Sequence, residues 1–390
     1  MRPLPDPDAT RGLAPGGSQK PVLDAVPAAL VRNATGTWGD EGRQWLEALP
    51  TLVADVARRW NLTVETPYAG LSFHWVARVT DADGRPAVLK LGPPGPGHLR
   101  DEAAALRAFD GHGAVWLRAE DAERGALLLE RAEPGTLARP LVPASTVRDA
   151  ARRDAEATSV LIDVANRLHR AGSDTTRPDH ATRPHDTGRP HDTARPASTR
   201  PTSTAPGGTA PGSTGPGRPG VALPDVAGQR DAFAVYLRTF GDRGPLPRTL
   251  VERADRLFAE LCDSAPRRVV LHGDLHHDNV LRAEREPWLA IDPHGVVGDP
   301  GYDAGALLYN PDPPRRDSDL LALVPARVEQ LADRLGQPLE RITAWGFVVA
   351  MLSEVWDTEG RTPGISPRHG GPGPTGRAFD VARLLLPRLT

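Results

Sequence analysis

Two carboxylates and an amide lie within one short stretch of this chain, with the spacing of a phosphoryl-transfer site. Residues 271–281 read Leu-His-Gly-Asp-Leu-His-His-Asp-Asn-Val-Leu and contain Asp274 and Asn279, and Asp292 follows the apolar run Trp-Leu-Ala-Ile. Phosphoryl transfer to an alcohol needs a carboxylate that accepts the hydroxyl proton, and an amide and a second carboxylate that hold Mg²⁺ against nucleotide phosphates. We predict that Asp274 is the catalytic base and that Asn279 and Asp292 bind Mg²⁺.

The spacing of His272, Asp274 and Asn279 matches H-x-D-x-x-x-x-N, the pattern of the protein-kinase catalytic loop. Each residue also has a plain structural interpretation, because Asp and Asn are common in turns. Their joint occurrence with Asp292 favours a role in phosphoryl transfer over a plain role in turns.

The histidines of this segment also suggest a zinc site. His276 and His277 are adjacent, and adjacent strand residues point to opposite faces, whereas zinc needs three or four converging ligands. We therefore interpret His272, the first of the three, as a packed and hydrogen-bonded core residue.

Lysine is rare in this chain. Lys20 and Lys90 are the only lysines among 47 basic residues, and Lys90 lies in the strand-like run Ala-Val-Leu-Lys-Leu. A lysine among apolar neighbours, where arginine is the usual cation, indicates a need for a compact ammonium group. A predicted helix over 98–109 carries Glu102, which can pair with it. We predict that Lys90 contacts the nucleotide phosphates and that Glu102 orients it; an exposed strand position is the alternative.

Two further segments are candidates for nucleotide contacts. Ala-Gly-Leu-Ser-Phe at 69–73 lies between the first two predicted strands, and Gly70 and Ser72 could offer backbone N–H groups to phosphate, although three glycines are lacking. The segment 128–135 leaves the last strand of the small lobe at Glu130, where the backbone would contact the nucleotide base. An ordinary turn and an ordinary strand end are the alternatives.

Hydrophobic periodicity around these segments predicts an α+β fold with two lobes. Between 63 and 130, a hairpin, a third strand (86–91), a helix (98–109) and two more strands (115–117 and 126–130) predict a small antiparallel sheet with one main helix. A larger and mostly helical lobe follows. Helices are predicted at 42–60, 143–170, 226–240, 249–261, 345–356 and 377–386. The predicted units are a disordered tail (1–34), a nucleotide-binding N-lobe (35–132), and a catalytic and acceptor-binding C-lobe (133–171 and 221–390).

Residues 172–220 differ in kind from the rest. Arg-Pro recurs at 177, 183, 189 and 195, and apolar side chains are almost absent. Such a segment cannot offset the entropy of ordering, so we predict a disordered insertion. Its histidines (His180, His185 and His191) could bind a metal loosely, but a solvated linker is the favoured interpretation.

Composition excludes several classes of protein. The net charge of −3 provides no basic field for nucleic acid, and a single cysteine, Cys262, permits no internal disulfide. There is no apolar run of about 18 residues, and the N-terminus lacks the apolar core of a signal peptide. We expect a cytoplasmic monomer that binds neither nucleic acid nor a membrane.

The motifs resemble those of the aminoglycoside phosphotransferases, in the branch of the streptomycin 6-phosphotransferases and hydroxyurea phosphotransferases. The resemblance rests on His-Gly-Asp-Leu-His-His-Asp-Asn-Val-Leu, Trp-Leu-Ala-Ile-Asp-Pro and Val-Gly-Asp-Pro-Gly-Tyr-Asp, and extends over roughly 35–170 and 222–390. It implies a bilobal protein-kinase-like fold, with ATP and Mg²⁺ as cofactors and a small-molecule hydroxyl as acceptor. It also implies the roles given above for Asp274, Asn279, Asp292 and Lys90.

Substrate identity is less constrained than chemistry. His294 stands after Asp-Pro, where relatives often have lysine, and the insertion precedes the helices expected to cover the acceptor. A streptomycin-like acceptor carries guanidinium groups, which pair with carboxylates. Candidate carboxylates are Asp299, Asp303, Glu354 and Asp357. Phosphorylation of hydroxyurea or a metabolite is one alternative, and a nucleotide-binding pseudokinase scaffold is another.

Overall fold

The computed structural model describes residues 26–68, 71, 73–93, 98–139, 147–175, 222–311, 321–359 and 376–389. Within these ranges the chain forms an N-lobe built on an antiparallel sheet and a mostly helical C-lobe, as predicted. The helices are α1 (Ala28–Trp60), α2 (His98–Phe109), α3 (Val147–Thr175), α4 (Asp231–Phe240), α5 (Arg248–Asp263), α6 (Ala304–Tyr309), α7 (Val324–Leu335), α8 (Leu339–Glu359) and α9 (Arg377–Leu385). The strands are β1 (Thr63–Pro67), β2 (Trp75–Thr80), β3 (Pro86–Leu91), β4 (Leu117–Asp121), β5 (Ala126–Glu130), β6 (Pro134–Leu137), β7 (Val269–Leu271), β8 (Val280–Ala283), β9 (Trp288–Ala290) and β10 (Val296–Gly298).

The N-lobe sheet has the strand order β1-β2-β3-β5-β4, with every pair antiparallel. Alternation along β3 gives its two faces different roles. Ala87, Leu89 and Leu91 are buried together with apolar side chains of α1. Lys90 lies between them in sequence and therefore points to the opposite face. Burial of one face thus fixes the direction of the lysine.

The helix α1 is longer than the sequence predicted. Its C-terminal part, 42–60, was predicted, but the helix begins at Ala28, within the segment 1–34 assigned to a disordered tail. Leu30 and Ala34 are fully buried. Gly39 has a φ of 56°, and its non-helical backbone interrupts the apolar periodicity on which the prediction depended.

The C-lobe packs around α8, whose core was predicted at 345–356. Trp345, Phe347 and Met351 are fully buried, and α8 contacts α5, α6, α7 and α9. Small sheets lie beside the helices: β7 pairs with β10, and β8 pairs with both β6 and β9. The β8–β9 hairpin is the strand-turn-strand unit predicted around the catalytic segment.

Two boundaries differ from expectation. A strand was predicted at 115–117, but β4 starts at Leu117, and the N–H of Val115 instead donates to the carbonyl of Ala290 in the C-lobe (3.0 Å). The predicted insertion begins inside α3, which continues to Thr175. The rest of that segment, with its three histidines, lies outside the described residues. Among the described helices, none is long and apolar enough to cross a membrane.

Candidate active site

The turn that carries Asp274 follows β7 and is closed by its own side chains. His272 is fully buried; its Nδ1 accepts the backbone N–H of Asp274 (3.3 Å), and its Nε2 lies 2.9 Å from the carbonyl oxygen of Ile291. The interpretation of His272 as a packed, hydrogen-bonded residue is confirmed. Gly273 has a φ of 85°, which residues with a Cβ rarely adopt. The turn leaves the Asp274 side chain partly exposed.

Asp303 stabilises this turn through hydrogen bonds to its backbone. Its carboxylate accepts the backbone N–H groups of His272 (3.1 Å) and Gly273 (2.8 Å), and lies 2.8 Å from Nε2 of His169. Burial favours the neutral acid, yet His169 and the backbone donors hold the pKa of Asp303 below its usual value. With 2% of its surface exposed, Asp303 has no free carboxylate to offer an acceptor. Asp303 was predicted to bind the acceptor, but in the structure its carboxylate holds the backbone of the catalytic turn.

Asp299 needs the same correction. Its carboxylate accepts the N–H of Gly301 (2.7 Å), which caps the short helix over Pro300–Asp303, and it also pairs with Arg341 of α8. The residue is 1% exposed. It therefore joins α8 to the segment that positions Asp303, and it does not face an acceptor.

Asn279 and Asp292 are brought together by the β8–β9 hairpin. The N–H of Ile291 donates to the carbonyl of Asn279 (2.9 Å). The backbone of the next residue, Asp292, therefore lies close to Asn279. Nδ2 of Asn279 donates to the carbonyl of Asp274 (2.9 Å), which leaves Oδ1 as the amide oxygen that can bind a cation. Asp292 has a φ of 60°, an uncommon conformation for a residue with a side chain and one frequent at functional sites.

Lys90 lies between two carboxylates that are distant in sequence. Its Nζ is 2.6 Å from Oε2 of Glu102 and 2.5 Å from Oδ1 of Asp292. Burial favours the neutral amine, but the two carboxylates outweigh it and raise the pKa of Lys90, while Lys90 in turn holds the pKa of Asp292 well below its usual value. Lys90 and Glu102 are almost fully buried, whereas the Asp292 side chain is 52% exposed and can reach a ligand.

A cavity of about 690 Å³ opens between the lobes beside this cluster. Lys90, Glu102 and Asp292 line one part of it, and the segment from Glu130 to Gly135 lines another. The remaining walls are mainly apolar, from Leu71, Val76, Val88, Val115, Leu129, Leu137, Leu281 and Ile291, together with Tyr68, His74 and Arg78. An apolar slot with a few charged groups converging in it suits a flat ring attached to phosphates.

Glu130 lines this cavity but is already engaged. Its N–H donates to the carbonyl of Trp116 (2.8 Å), and its carboxylate accepts from Arg285 (2.9 and 3.0 Å) and from the N–H of Trp116 (2.9 Å). Contact with a base through the N–H of Glu130 is therefore excluded, and residues 131–135 of the same segment are the better candidates. Gly70 and Ser72, predicted to contact phosphate, lie outside the described residues, although Leu71 between them is buried against the cavity.

The two carboxylates predicted near the end of α8 differ in environment. Glu354 accepts the N–H groups of Gly376 (2.9 Å) and Phe379 (3.0 Å), so it caps α9 and is buried. Asp357 is exposed. Burial raises the pKa of Tyr309, and the charges of Asp274 and Asp357 add to this shift.

Two histidines flank the Asp274 carboxylate, and the sequence assigned neither of them a role. Nε2 of His276 lies 3.4 Å from Oδ2 of Asp274, and Nε2 of His294 lies 3.9 Å from the same oxygen. Burial favours the neutral acid, but the hydrogen bond from His276 and the two imidazoles keep the pKa of Asp274 below its usual value. An Asp-x-His pattern was the available signal for His276, and it is too short to indicate a contact by itself.

We expect the site to lose stability in mild acid. His272 and His277 are fully buried, and burial lowers the pKa of both imidazoles. Below pH 6.5 the unfolded chain takes up protons that the folded chain does not, so the free energy of unfolding falls with pH by up to about 1.4 kcal/mol per pH unit for each histidine. His276 opposes this trend, because Asp274 outweighs burial and raises its pKa.

Denaturant unfolding between pH 7.0 and 5.0 tests this expectation. Neither ring nitrogen of His277 bonds any residue that the structure describes, so His277→Leu removes the titrating group without breaking a described hydrogen bond. The variant should show a shallower loss of stability over this range, whereas His112→Leu, at an exposed position, should keep the wild-type slope. Equal slopes in His277→Leu and wild type would contradict the assignment.

Comparison with known proteins gives a consistent result. The family described as "Aminoglycoside/hydroxyurea antibiotic resistance kinase" matches residues 59–184 and 218–360. The streptomycin 6-kinase of Streptomyces griseus is 32% identical over 348 residues, covering 88% of this chain and 94% of that protein. The hydroxyurea phosphotransferase of Kitasatospora aureofaciens is 31% identical over 335 residues, covering 86% and 80%.

A solved structure shares the fold. An amicoumacin kinase in complex with AMP-PNP, Ca²⁺ and Ami superposes with a TM-score of 0.50 at 15% identity, covering 86% of this chain and 91% of that one. At this identity the likeness concerns the fold alone, and it supports the bilobal kinase-like architecture predicted from the sequence.

Proposed function

Because the chain belongs to the aminoglycoside/hydroxyurea antibiotic resistance kinases, we propose that it transfers the terminal phosphoryl group of ATP, with Mg²⁺, to a hydroxyl group of streptomycin. The hydroxyl would be the one named in the streptomycin 6-kinases, and transfer would inactivate the antibiotic. One observation carries this proposal: the side chain of Asn279 bonds Asp274, the backbone of Asn279 bonds Ile291, and the next residue, Asp292, pairs with Lys90 in the wall of the interlobe cavity. We propose that the enzyme acts as a cytoplasmic monomer.

Asp274 is the group that would hydrogen-bond the acceptor hydroxyl. Its low pKa keeps it ionised at neutral pH. A carboxylate that hydrogen-bonds the acceptor hydroxyl orients its oxygen for in-line attack and takes up the proton as the new P–O bond forms. The rigid turn held by His272 and Asp303 contributes positioning, which is a large part of catalysis in this class of reaction.

The oxygen donors of Asn279 and Asp292 fit Mg²⁺. This ion prefers hard oxygen ligands, and in nucleotide sites it typically takes one or two carboxylates together with phosphate oxygens. Mg²⁺ held by these two residues would neutralise charge on the nucleotide phosphates. Lys90 stays charged between its two carboxylates and presents an ammonium group to the phosphates, while Glu102 fixes its direction.

Asp357 is the carboxylate that we propose for the acceptor. It is the exposed member of the four predicted acceptor ligands, and its charge, like that of Asp274, raises the pKa of Tyr309. A guanidinium or amino group of the acceptor would pair with this carboxylate. The other three predicted ligands are buried.

Release of ADP with and without candidate acceptors tests the function. Purified protein with Mg-ATP is expected to release ADP rapidly when streptomycin is present and slowly without it, and the product should be a streptomycin phosphate monoester by mass spectrometry. The identity to a hydroxyurea phosphotransferase favours hydroxyurea as the second candidate, and it enters the same assay. Turnover with hydroxyurea and not with streptomycin would replace the proposed acceptor. No acceptor-dependent turnover with either would contradict the proposal.

A further inference from the structure

Two histidines of the catalytic turn use their side chains in the same way. Nδ1 of His272 accepts the N–H of the residue two positions later, Asp274 (3.3 Å), and Nδ1 of His276 accepts the N–H of Asp278 (3.2 Å). In both rings Nε2 then faces an oxygen: the carbonyl of Ile291 for His272 (2.9 Å) and Oδ2 of Asp274 for His276 (3.4 Å). In this turn, two imidazoles each accept a backbone N–H through Nδ1, and they differ in the group that Nε2 contacts.

These contacts determine where the proton of His276 lies. A ring nitrogen that accepts an N–H carries no hydrogen, so in the neutral imidazole the proton is on Nε2. Nε2–H is then the group that faces the Asp274 carboxylate, with Nε2 3.4 Å from Oδ2. The opposite tautomer would turn an N–H toward the N–H of Asp278 and a lone pair toward the carboxylate, which are two unfavourable contacts.

One neighbour opposes this assignment. Nδ2 of Asn279 lies 3.2 Å from Nε2 of His276, and two donors would meet there. However, Nδ2 of Asn279 also donates to the carbonyl of Asp274 (2.9 Å), which satisfies one of its hydrogens in either case. The charged contact with Asp274 is worth more than a neutral one, so the balance favours Nε2–H.

We propose that His276 is a positioning residue that fixes the rotamer of the Asp274 carboxylate. Its Nε2–H holds Oδ2, the oxygen that His294 also approaches, and so leaves Oδ1 for the acceptor hydroxyl. This inference rests on the proposed function, in which Asp274 receives that hydroxyl. The side chain of His276 is thus built into the backbone turn at Nδ1 and aims at the reacting carboxylate through Nε2.

Two isosteric replacements separate this role from a purely structural one. Glutamine places an amide N–H near the position of Nε2 and retains the donor to Asp274, but it loses the cap on the N–H of Asp278. Asparagine places an oxygen near Nδ1 and retains the cap, but it has no donor that reaches Asp274. If His276 positions Asp274, the glutamine variant should retain a higher kcat than the asparagine variant. If His276 only closes the turn, the asparagine variant should retain the higher kcat.

Steady-state kinetics with streptomycin and Mg-ATP provide the test. His276→Asn should lower kcat by about a hundredfold with KM for ATP changed less than about threefold, because a misaligned carboxylate affects the chemical step. His276→Gln should retain kcat within about tenfold of wild type. His112→Gln, on an exposed turn, controls for loss of a histidine. Retention of kcat by asparagine, or equal losses in the two variants, would overturn the proposal.

A spectroscopic measurement on the wild-type protein decides the matter if His276→Asn does not fold or if streptomycin is not the acceptor. Nitrogen NMR of ¹⁵N-histidine-labelled protein distinguishes a protonated Nε2 from a protonated Nδ1, and the His276 signals are identified by their absence in the His276→Gln spectrum. We expect the proton on Nε2 and none on Nδ1. A proton on Nδ1 alone would overturn the proposal. Failure of acceptor turnover in the wild type would count against the proposed function alone.

Discussion

Asp274→Asn is expected to lower kcat for transfer by about a thousandfold while leaving nucleotide affinity nearly unchanged. The asparagine has the shape of the aspartate but cannot take up the acceptor proton, and general-base contributions of about 10²–10⁴ are typical. Lys90 and Asp292, which we propose as the groups that bind the metal nucleotide, remain. Single-turnover transfer and equilibrium binding of a nonhydrolysable ATP analogue measure the two quantities separately.

The matched control is Asp333→Asn, at an exposed position on α7. It removes the same charge and should retain wild-type kcat. A kcat within tenfold of wild type in Asp274→Asn would show that another group receives the proton. A large loss of analogue binding in Asp274→Asn would show that the residue belongs to the nucleotide site instead.

The second large effect is expected from Lys90→Met, which should lower both activity and stability. Without the ammonium group, the carboxylates of Glu102 and Asp292 face each other with no cation between them. Breaking a buried ion pair costs about 3 kcal/mol or more, and loss of one charged contact to the transferring group costs about 10²–10³ in kcat. Denaturant unfolding and transfer kinetics report the two losses.

A double variant separates the two losses. Glu102→Gln in the Lys90→Met background removes the uncompensated buried charge and should recover much of the lost stability. It supplies no cation to the phosphates, so transfer should stay as low as in Lys90→Met. Recovery of transfer together with stability would mean that Lys90 has only a structural role.

The proximity of the candidate catalytic residues could be predicted from the sequence because the evidence for it is local. His272, Asp274 and Asn279 lie within eight positions, and β8 and β9 return the chain to Asp292 through one hairpin. Lys90 and Glu102 are twelve residues apart, and their strand and helix have bounds identical to those predicted, 86–91 and 98–109. The contact from Lys90 to Asp292 spans 202 positions, and only the kinase-like pattern made it predictable.

The acidic residues around the acceptor site were harder to judge, because their partners are remote in sequence. Asp303 meets His169 across 134 positions and Asp299 meets Arg341 across 42. The local sequence around a carboxylate near a catalytic motif does not show whether the side chain is buried in such a pair or exposed, as Asp357 is. Glu130 is a similar case, since its partner Arg285 comes from the β8–β9 turn.

Secondary structure boundaries failed where tertiary contacts override periodicity. The kink at Gly39 hides the first part of α1, although Leu30 and Ala34 bury the same face as the predicted part. Val115 was predicted to be in a strand of the N-lobe sheet, but its backbone is paired with Ala290 of the C-lobe. That pairing joins the two lobes behind the cavity and has no signal in the sequence of either segment.

The proposed mechanism requires an acceptor hydroxyl against Asp274 and a metal nucleotide against Asn279, Asp292 and Lys90. A crystal structure with a nonhydrolysable ATP analogue, Mg²⁺ and streptomycin measures this directly. We predict a streptomycin hydroxyl oxygen within about 2.6–3.2 Å of the Asp274 carboxylate, and Mg²⁺ bound by Asn279 Oδ1 and Asp292. A nucleotide bound outside the interlobe cavity, or a metal ion with neither residue as a ligand, would contradict the account.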